Sequence, residues 1–295
     1  MDEGGGDGTP GLFEVRTGSS NGASSDDDGG KDEPLRLGGM ALRNGLLIHG
    51  PSSWAVAARA ADGSIEVASG PKPDFGGNRF AKVPLMRGPL RLAEAFAVIP
   101  LARRGAPSSR LPFEDSKVLA AGAVTAAVSA LIRGGAERRG PVREGVIGVI
   151  GLAPALVALG SSELASYHAV EHKSIGGYEQ GRDPAGVPKE HQRCGSNLIV
   201  PMLVFSTLGQ LVVNRLLDRP GRVAQSLAGV AGVSLSVETF VFAEKNPESP
   251  VGRAVHWAGD TIQRLFATRE PSDEQMEIGV AALDAVLKAE QGESR

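Results

Sequence analysis

Four stretches in the middle of the chain lack ionised side chains for long enough to form buried or membrane-embedded helices. Crossing a hydrocarbon layer takes about 20 helical residues. The third stretch meets this length directly, and the second does if it continues toward Ala165. The first and fourth stretches are shorter and would span a bilayer only with polar ends or local thinning of the bilayer. The stretches lie between Lys117 and Arg133 (15 residues), Glu144 and Glu163 (18), Arg193 and Arg215 (21), and Arg222 and Glu238 (15).

Four buried helices of a soluble bundle are the alternative, because uncharged runs of this length also describe core helices. We favour membrane helices because all four stretches occur within about 130 residues. Asp218–Gly221 predicts a tight turn, which would pair the third and fourth helices in an antiparallel hairpin.

The segment before these stretches predicts a small β-containing cap. Ser53–Arg59 and Ser64–Ala68 are apolar runs on either side of Asp62-Gly63, a pair that favours a hairpin turn. We therefore expect a strand-rich cap over residues 38–70. Leu85–Leu101 is apolar with spaced charges, which fits either a helix lying in the membrane interface or an ordinary packed helix.

A soluble helix is predicted after the apolar block. Ser272 and Gln275 have the spacing of a capping box, which marks a helix N-terminus. Apolar residues then recur at helical spacing, so one face of this helix should pack against the rest of the protein. They are Met276, Val280, Leu283 and Leu287.

Composition and charge exclude several classes of protein. The 295 residues are 41% hydrophobic and 22% charged, and the net charge of -3 argues against a strongly basic nucleic-acid binder. A single cysteine excludes an internal disulfide framework. Residues 1–35 are acidic and rich in Gly and Ser, with too few apolar side chains to bury, which predicts a disordered tail.

Candidate chemistry is concentrated where the second apolar stretch ends and the third begins. His168, Glu171 and His172 are three and four positions apart, so they share one face of a helix. His191 and Cys194 follow shortly before the third stretch. Imidazole and thiolate groups are typical ligands of tetrahedral zinc. Metal ligation by His168, His172, His191 and Cys194 is therefore our hypothesis. The alternative is that these residues are polar helix ends that form hydrogen bonds with the backbone.

The order His-x-x-Glu-His is that of the inverted zinc-peptidase motif, in which the histidines bind metal and the glutamate polarises water. We expect His168, His172 and either His191 or Cys194 to hold a divalent metal, and zinc in particular, with Glu171 as the catalytic base. A shell of four protein ligands would instead be closed and structural. A non-enzymatic membrane scaffold or assembly factor with a metal clip is thus the alternative function.

Glu238 interrupts the apolar run Val233–Phe242. An ionised group at membrane depth is costly, so this carboxylate should face a partner or a cavity. A third hypothesis for the function is a transporter in which Glu238 couples transport to an ion. The alternative is that Glu238 marks the end of a helix at the water interface.

The motifs resemble the YqhQ-like family of bacterial membrane proteins (domain of unknown function 1385), which is described as predicted metal-dependent. The resemblance covers about residues 36–290. It implies several membrane helices and a metal site at the motif residues His168, His172 and His191, with Glu171 and Cys194. The family usually has Gln, Glu and Arg where this chain has Met40, Asn44 and His49. The segments that carry the resemblance are Gly38–Gly45, His49–Pro51, Trp54–Ala55, Asp62–Gly63, Met86–Gly88, Tyr167–Glu179, His191–Gly195, Gln263–Leu265 and Thr268–Pro271, with the helix that follows.

Taken together, the sequence predicts a mainly α, multi-pass helical protein of the cell membrane with a small N-terminal β-hairpin-containing cap and a soluble C-terminal helix. The expected partners are the lipid bilayer and a second copy or another membrane protein, with no nucleic acid. The predicted segments are the tail 1–35, the cap with an interfacial helix 36–110, the membrane block 111–245, the C-terminal helical segment 246–290 and the tail 291–295.

Overall fold

A computed structural model describes residues 34–75, 83–134, 141–217 and 220–292. Residues 1–33 of the predicted tail, the 218–219 part of the predicted turn and residues 293–295 lie outside the described residues. The described residues from Leu35 onward belong to one compact unit.

The predicted cap is a four-stranded antiparallel sheet in the order β1-β2-β3-β4. Asp62-Gly63 forms the β3–β4 turn, and Gly63 has φ +87°, which confirms the predicted hairpin. The same segment carries two further strands that the apolar pattern did not separate. The strands are β1 (Gly38–Ala41), β2 (Gly45–His49), β3 (Ser53–Arg59) and β4 (Ile65–Pro71).

The remainder of the described chain is mainly helical. The α-helices are α1 (Arg87–Gly105), α2 (Ser116–Gly134), α3 (Pro141–Ile150), α4 (Ala153–Leu159), α5 (Ser162–Gln180), α6 (Ile199–Leu216), α7 (Arg222–Lys245), α8 (Pro250–Ile262) and α9 (Asp273–Glu290). Short 3-10 turns cover Pro112–Glu114, Pro184–Gly186 and Gly195–Leu198, and a π-helical turn covers Gln263–Ala267.

The sheet is buried on both faces, because helices pack against each side. Alternating residues of β2 and β3 face opposite ways, as a pleated strand requires. Leu46, Ile48, Ala55 and Ala57 pack in one core with α5 and α9. On the opposite face, Leu47, Trp54 and Val56 pack with Val98 and Ala102 of α1. The helix over Leu85–Leu101 therefore packs against the sheet through Val98 and Ala102, whereas its Leu92 and Phe96 are exposed.

The C-terminal helix α9 begins at the predicted capping box, in which Ser272 accepts from the Gln275 backbone N–H. Its buried line runs through Ile278, Ala282 and Val286, with Leu283 beside it. Val280 is only half-buried, so the centre of the packed face is rotated from the predicted one.

Three apolar segments are long enough to cross a membrane by length and composition: Val142–Leu159, Gly195–Leu216 and Val223–Lys245. Ser116–Ile132 is a shorter apolar helix. Only 11%, 17% and 28% of the three long segments is buried against protein, so most of their apolar surface faces outward. Exposed apolar surface of this extent marks contact with a membrane or another protein.

α6 and α7 form the predicted antiparallel pair, and small residues let their backbones approach. Gly209 lies against Ala228, whereas Gly232, further along α7, lies against Ser206, earlier on α6. A Cβ on Gly232 would lie 2.9 Å from the Ser206 Oγ. Close contact at small residues is typical of helix pairs in lipid.

Glu238 of α7 is held by the start of α1. Its carboxylate accepts from Arg87 Nε (2.8 Å), Arg87 Nη2 and the Leu85 backbone N–H (3.0 Å). The partner expected for this carboxylate is therefore a guanidinium, and the contact ties α7 to α1. Such a two-point ion pair does not favour Glu238 as an ion-coupling group.

We expect Glu238→Gln to lower the free energy of unfolding by about 1.5–3 kcal/mol, the usual contribution of hydrogen bonds to a charged group. Thermal unfolding of the detergent-purified chain would measure this loss. Glu248→Gln, at an exposed carboxylate near the end of α7, is the matched control. Equal melting temperatures for both variants and the wild type would contradict the proposed tie.

Candidate metal site

Helix α5 presents His168, Glu171 and His172 on one face. The helix is buried over most of its length, because it packs beside α9 against one face of the sheet. The motif therefore lies inside the packed sheet-and-helix core and begins nine residues after the apolar segment Val142–Leu159 ends. This packing against the sheet is a contact that the sequence did not indicate.

The chain after α5 folds back so that Cys194 meets the two histidines. Cys194 caps the 3-10 turn Gly195–Leu198, and its Sγ accepts from the Ser196 backbone N–H at 3.4 Å. This places Sγ 3.3 Å from His168 Nε2. One ligand atom from each of His168, His172 and Cys194 lies within 4.8 Å of the others. These three residues form what we call the His/Cys cluster.

Backbone carbonyls fix the orientation of both imidazoles. His168 Nδ1 lies 2.9 Å from the Ala267 carbonyl oxygen, and His172 Nδ1 lies 2.6 Å from that of Lys189. A carbonyl only accepts, so both Nδ1 atoms carry a proton, and in the neutral form of each ring Nε2 presents a lone pair. His172 Nε2 is buried without a hydrogen-bond partner among the described residues. The donor set thus fits a bound cation, which would satisfy that atom.

Burial shifts the ionisation of this cluster. Desolvation lowers the pKa of His172 to about 2 and raises the pKa of Cys194 to about 11. His172 is therefore neutral and Cys194 protonated at neutral pH in the absence of a metal. A bound divalent cation deprotonates a coordinating thiol outright.

Glu171 lies beside the cluster and lines the same cavity, which has a volume of about 440 Å³. Only 9% of this residue is exposed, and desolvation raises the pKa of its carboxyl above the usual range. Gly39 of β1 lies directly over it: a Cβ there would be 2.8 Å from Glu171 Oε1. The close approach of strand and carboxylate therefore requires glycine at this position.

His191 lies near the cluster but makes other contacts. Its Nε2 is 3.2 Å from Glu179 Oε2, and Arg193 donates to the other oxygen of the same carboxylate. The His191 and His172 ring centroids are 5.6 Å apart. His191 thus lies outside the group of three residues whose ligand atoms converge.

Sequence reasoning missed Gln263 and Ala267, which belong to the π-helical turn. The fully buried Gln263 side chain accepts from the His191 N–H at 2.8 Å and donates to the His191 carbonyl at 3.2 Å. Ala267 supplies the carbonyl that orients His168. π-helical turns occur frequently at functional sites. The signal in the sequence was the family resemblance at Gln263–Leu265.

The three positions at which the chain departs from the family pattern divide between two places. Met40 and His49 line the cavity of the cluster. Asn44 instead supports the β1–β2 turn, where it donates to the Arg59 and Ser108 carbonyls and accepts from the Arg110 N–H. Position 44 therefore lies outside the cavity, and Glu171 is the carboxylate among the described residues that line it.

Comparisons with known proteins place the cluster inside a matched region. Residues 159–289 match the family model described as "Protein of unknown function (DUF1385)". The chain is also similar to the uncharacterized protein YqhQ of Bacillus subtilis (strain 168), with 25% identity over 307 residues, 87% of this chain and 94% of the relative. No solved structure matches. Both matches support the YqhQ-like DUF1385 family, and neither description gives an activity.

Proposed function

We propose that this chain is a multi-pass protein of the cell membrane and a zinc-dependent hydrolase. His168, His172 and Cys194 would hold the metal, and Glu171 would act as the general base. The three long apolar segments, with most of their surface facing outward, support the membrane assignment. The site would then lie where the first and second of these segments approach each other, near Leu159 and Gly195.

The orientation of the two imidazoles carries the metal proposal. Ligating histidines in metal sites almost always donate their second ring N–H to a carbonyl or carboxylate. Here the carbonyls of Ala267 and Lys189 occupy those positions, which leaves two Nε2 lone pairs beside a cysteine sulfur. Three protein ligands leave a fourth position open, the arrangement of catalytic rather than structural zinc sites.

Glu171 suits the role of a base because burial raises the pKa of its carboxyl above the usual range, which makes the carboxylate a stronger base. A zinc ion held by the cluster supplies Lewis acidity, which makes water a nucleophile at neutral pH. Glu171 takes the proton of the attacking water at its carboxylate and returns it to the leaving group. Leu159, Leu164 and Ile175 supply apolar walls to this cavity.

The test is metal content together with a generic hydrolytic probe. The full chain, purified in detergent without chelator, should contain about one zinc per chain. It should hydrolyse 4-nitrophenyl acetate, and chelation followed by zinc addition should remove and restore this activity. Zinc at background level together with no ester hydrolysis would overturn the proposal.

A structural clip is the second candidate function, and the proximity of His191 is the observation that favours it. If its ring left Glu179, His191 could complete a closed shell of four protein ligands. His191→Ala separates the two: a three-ligand site keeps its zinc, whereas a four-ligand clip loses it.

Zinc affinity should rise with pH because the metal displaces the Cys194 thiol proton. The raised pKa of Cys194, about 11, keeps that proton in place throughout the neutral range, whereas His172, with a pKa of about 2, has none to release. We expect the association constant to increase about tenfold per pH unit between pH 7 and pH 9. Competition with a chromophoric chelator measures it. A constant affinity over this range would exclude Cys194 as a thiolate ligand.

Gly39→Ala should impair hydrolysis without removing zinc. The added Cβ would lie 2.7–2.8 Å from three Glu171 side-chain atoms, so the carboxylate must move. A displacement of about 1 Å at a reacting group can cost 100-fold in rate. We expect about this loss in ester hydrolysis, with zinc content as the parallel measurement. Gly186→Ala, where no atom lies within 4 Å of the added Cβ, is the control.

A further inference from the structure

Strand β1 forms an open edge of the sheet. Its only partner strand among the described residues is β2, and the four residues Gly38–Ala41 are half-buried. An edge strand presents a row of unpaired backbone groups, which is a template for another strand.

The register shows which backbone groups of β1 point outward. The Leu42 N–H donates to the Gly45 carbonyl across the β1–β2 turn, so these two residues form a hydrogen-bonded pair. Such pairs alternate with non-bonded pairs along an antiparallel ladder. Gly39 and Ala41, opposite Ile48 and Leu46, therefore direct their N–H and C=O groups away from β2. No hydrogen bond from another described residue reaches these four groups.

The open edge belongs to the cavity that contains the His/Cys cluster. Gly38–Ala41 line this cavity together with His168, Glu171, His172 and Cys194. Because Gly39 lies against the Glu171 carboxylate, an added strand beside β1 would pass within reach of the proposed base.

The two edges of the sheet differ in protection. β4 carries Glu66 and ends at Pro71, and charged residues and proline are the usual means of blocking an edge. β1 reads Gly-Gly-Met-Ala and has neither. The unprotected edge is thus the one that faces the proposed catalytic centre.

We propose that β1 binds an extended stretch of polypeptide by strand addition, which makes polypeptide the substrate of the site; this rests on the hydrolase proposed above. Main-chain pairing of this kind gives affinity with little dependence on sequence. Water adds its oxygen to the carbonyl carbon of the peptide bond, and Glu171 takes the proton. The C–N bond then breaks, and the proton passes to the leaving amine nitrogen.

Two probes separate this inference from the proposed function. The zinc-loaded full chain in detergent is assayed with fluorescein-labelled casein, an unfolded polypeptide, and with 4-nitrophenyl acetate, which needs no strand pairing. Both should be hydrolysed. If the ester is hydrolysed but casein stays uncleaved, the polypeptide inference alone is overturned. If neither probe is hydrolysed, both proposals are overturned.

Ala41→Pro tests the edge itself, because proline at this position removes an outward N–H and leaves the ladder to β2 intact. The ratio of casein to ester activity should fall about tenfold through a higher KM for casein, which corresponds to the loss of one net hydrogen bond. Ala41→Ser keeps the N–H and is the matched control. An unchanged ratio in Ala41→Pro would overturn the inference.

A second measurement does not depend on how the variant folds. A peptide that the wild type cleaves is N-methylated at one amide at a time. In an added strand only every second N–H faces β1, so cleavage should fall about tenfold at alternate positions. Losses without this alternation would overturn strand addition.

Discussion

Replacing His172 with alanine is expected to reduce zinc affinity by about 100-fold or more. Loss of a residue that merely orients a ligand already costs 10–100-fold, and His172 is proposed to be a ligand itself. Its Nε2 is buried and has no hydrogen-bond partner among the described residues, and a bound metal ion would supply one. Zinc content after purification and competitive titration of the full chain measure the effect, and hydrolysis should fall in parallel.

His256→Ala is the matched control, because this half-buried histidine of α8 does not line the cavity of the cluster. It should keep its zinc. Cys194→Ser should lose zinc as His172→Ala does, since a hydroxyl is a poorer ligand than a thiolate. Full zinc content in His172→Ala would remove the proposed centre, and with it the role assigned to Glu171.

The sequence predicted local structure well, because each of these features depends on a few neighbouring residues. Asp62-Gly63 specifies a turn by backbone conformation, and Ser272 with Gln275 specifies a helix start by hydrogen bonding. Long uncharged runs likewise indicate apolar helices. Periodicity shows that a face is buried but not which element covers it. The packing of α5 beside α9 on one face of the sheet depends on contacts distant along the chain, and it could not be inferred from any single segment.

The same distinction applies to the site. His168, His172 and Cys194 could be named from residue type and spacing, and the structure brings their ligand atoms together. The carbonyls of Ala267 and Lys189, which orient the two rings, are backbone groups that every residue possesses. Their positions follow from the π-helical turn and the loop after α5. The pairing of His191 with Glu179 could not be inferred from the sequence either, because histidine and glutamate are both common metal ligands.

Replacing Glu171 with glutamine is expected to lower the turnover of ester by about 100- to 10,000-fold, the usual contribution of a general base. Glutamine retains the shape of the side chain but cannot accept the proton from water. The three proposed ligands are untouched, so zinc content should remain near one per chain. Steady-state hydrolysis of 4-nitrophenyl acetate and metal analysis on the same preparation measure the two quantities.

Glu163→Gln is the matched control, because Glu163 lies in the first turn of the same helix and is exposed. It should retain activity and zinc. The comparison also separates the enzyme from the scaffold. A structural clip needs its ligands but no base. In a non-catalytic scaffold, the loss of the Glu171 charge would therefore change neither zinc content nor ester hydrolysis. Hydrolysis in Glu171→Gln equal to that of the wild type would therefore exclude Glu171 as the base, even if the cluster binds zinc.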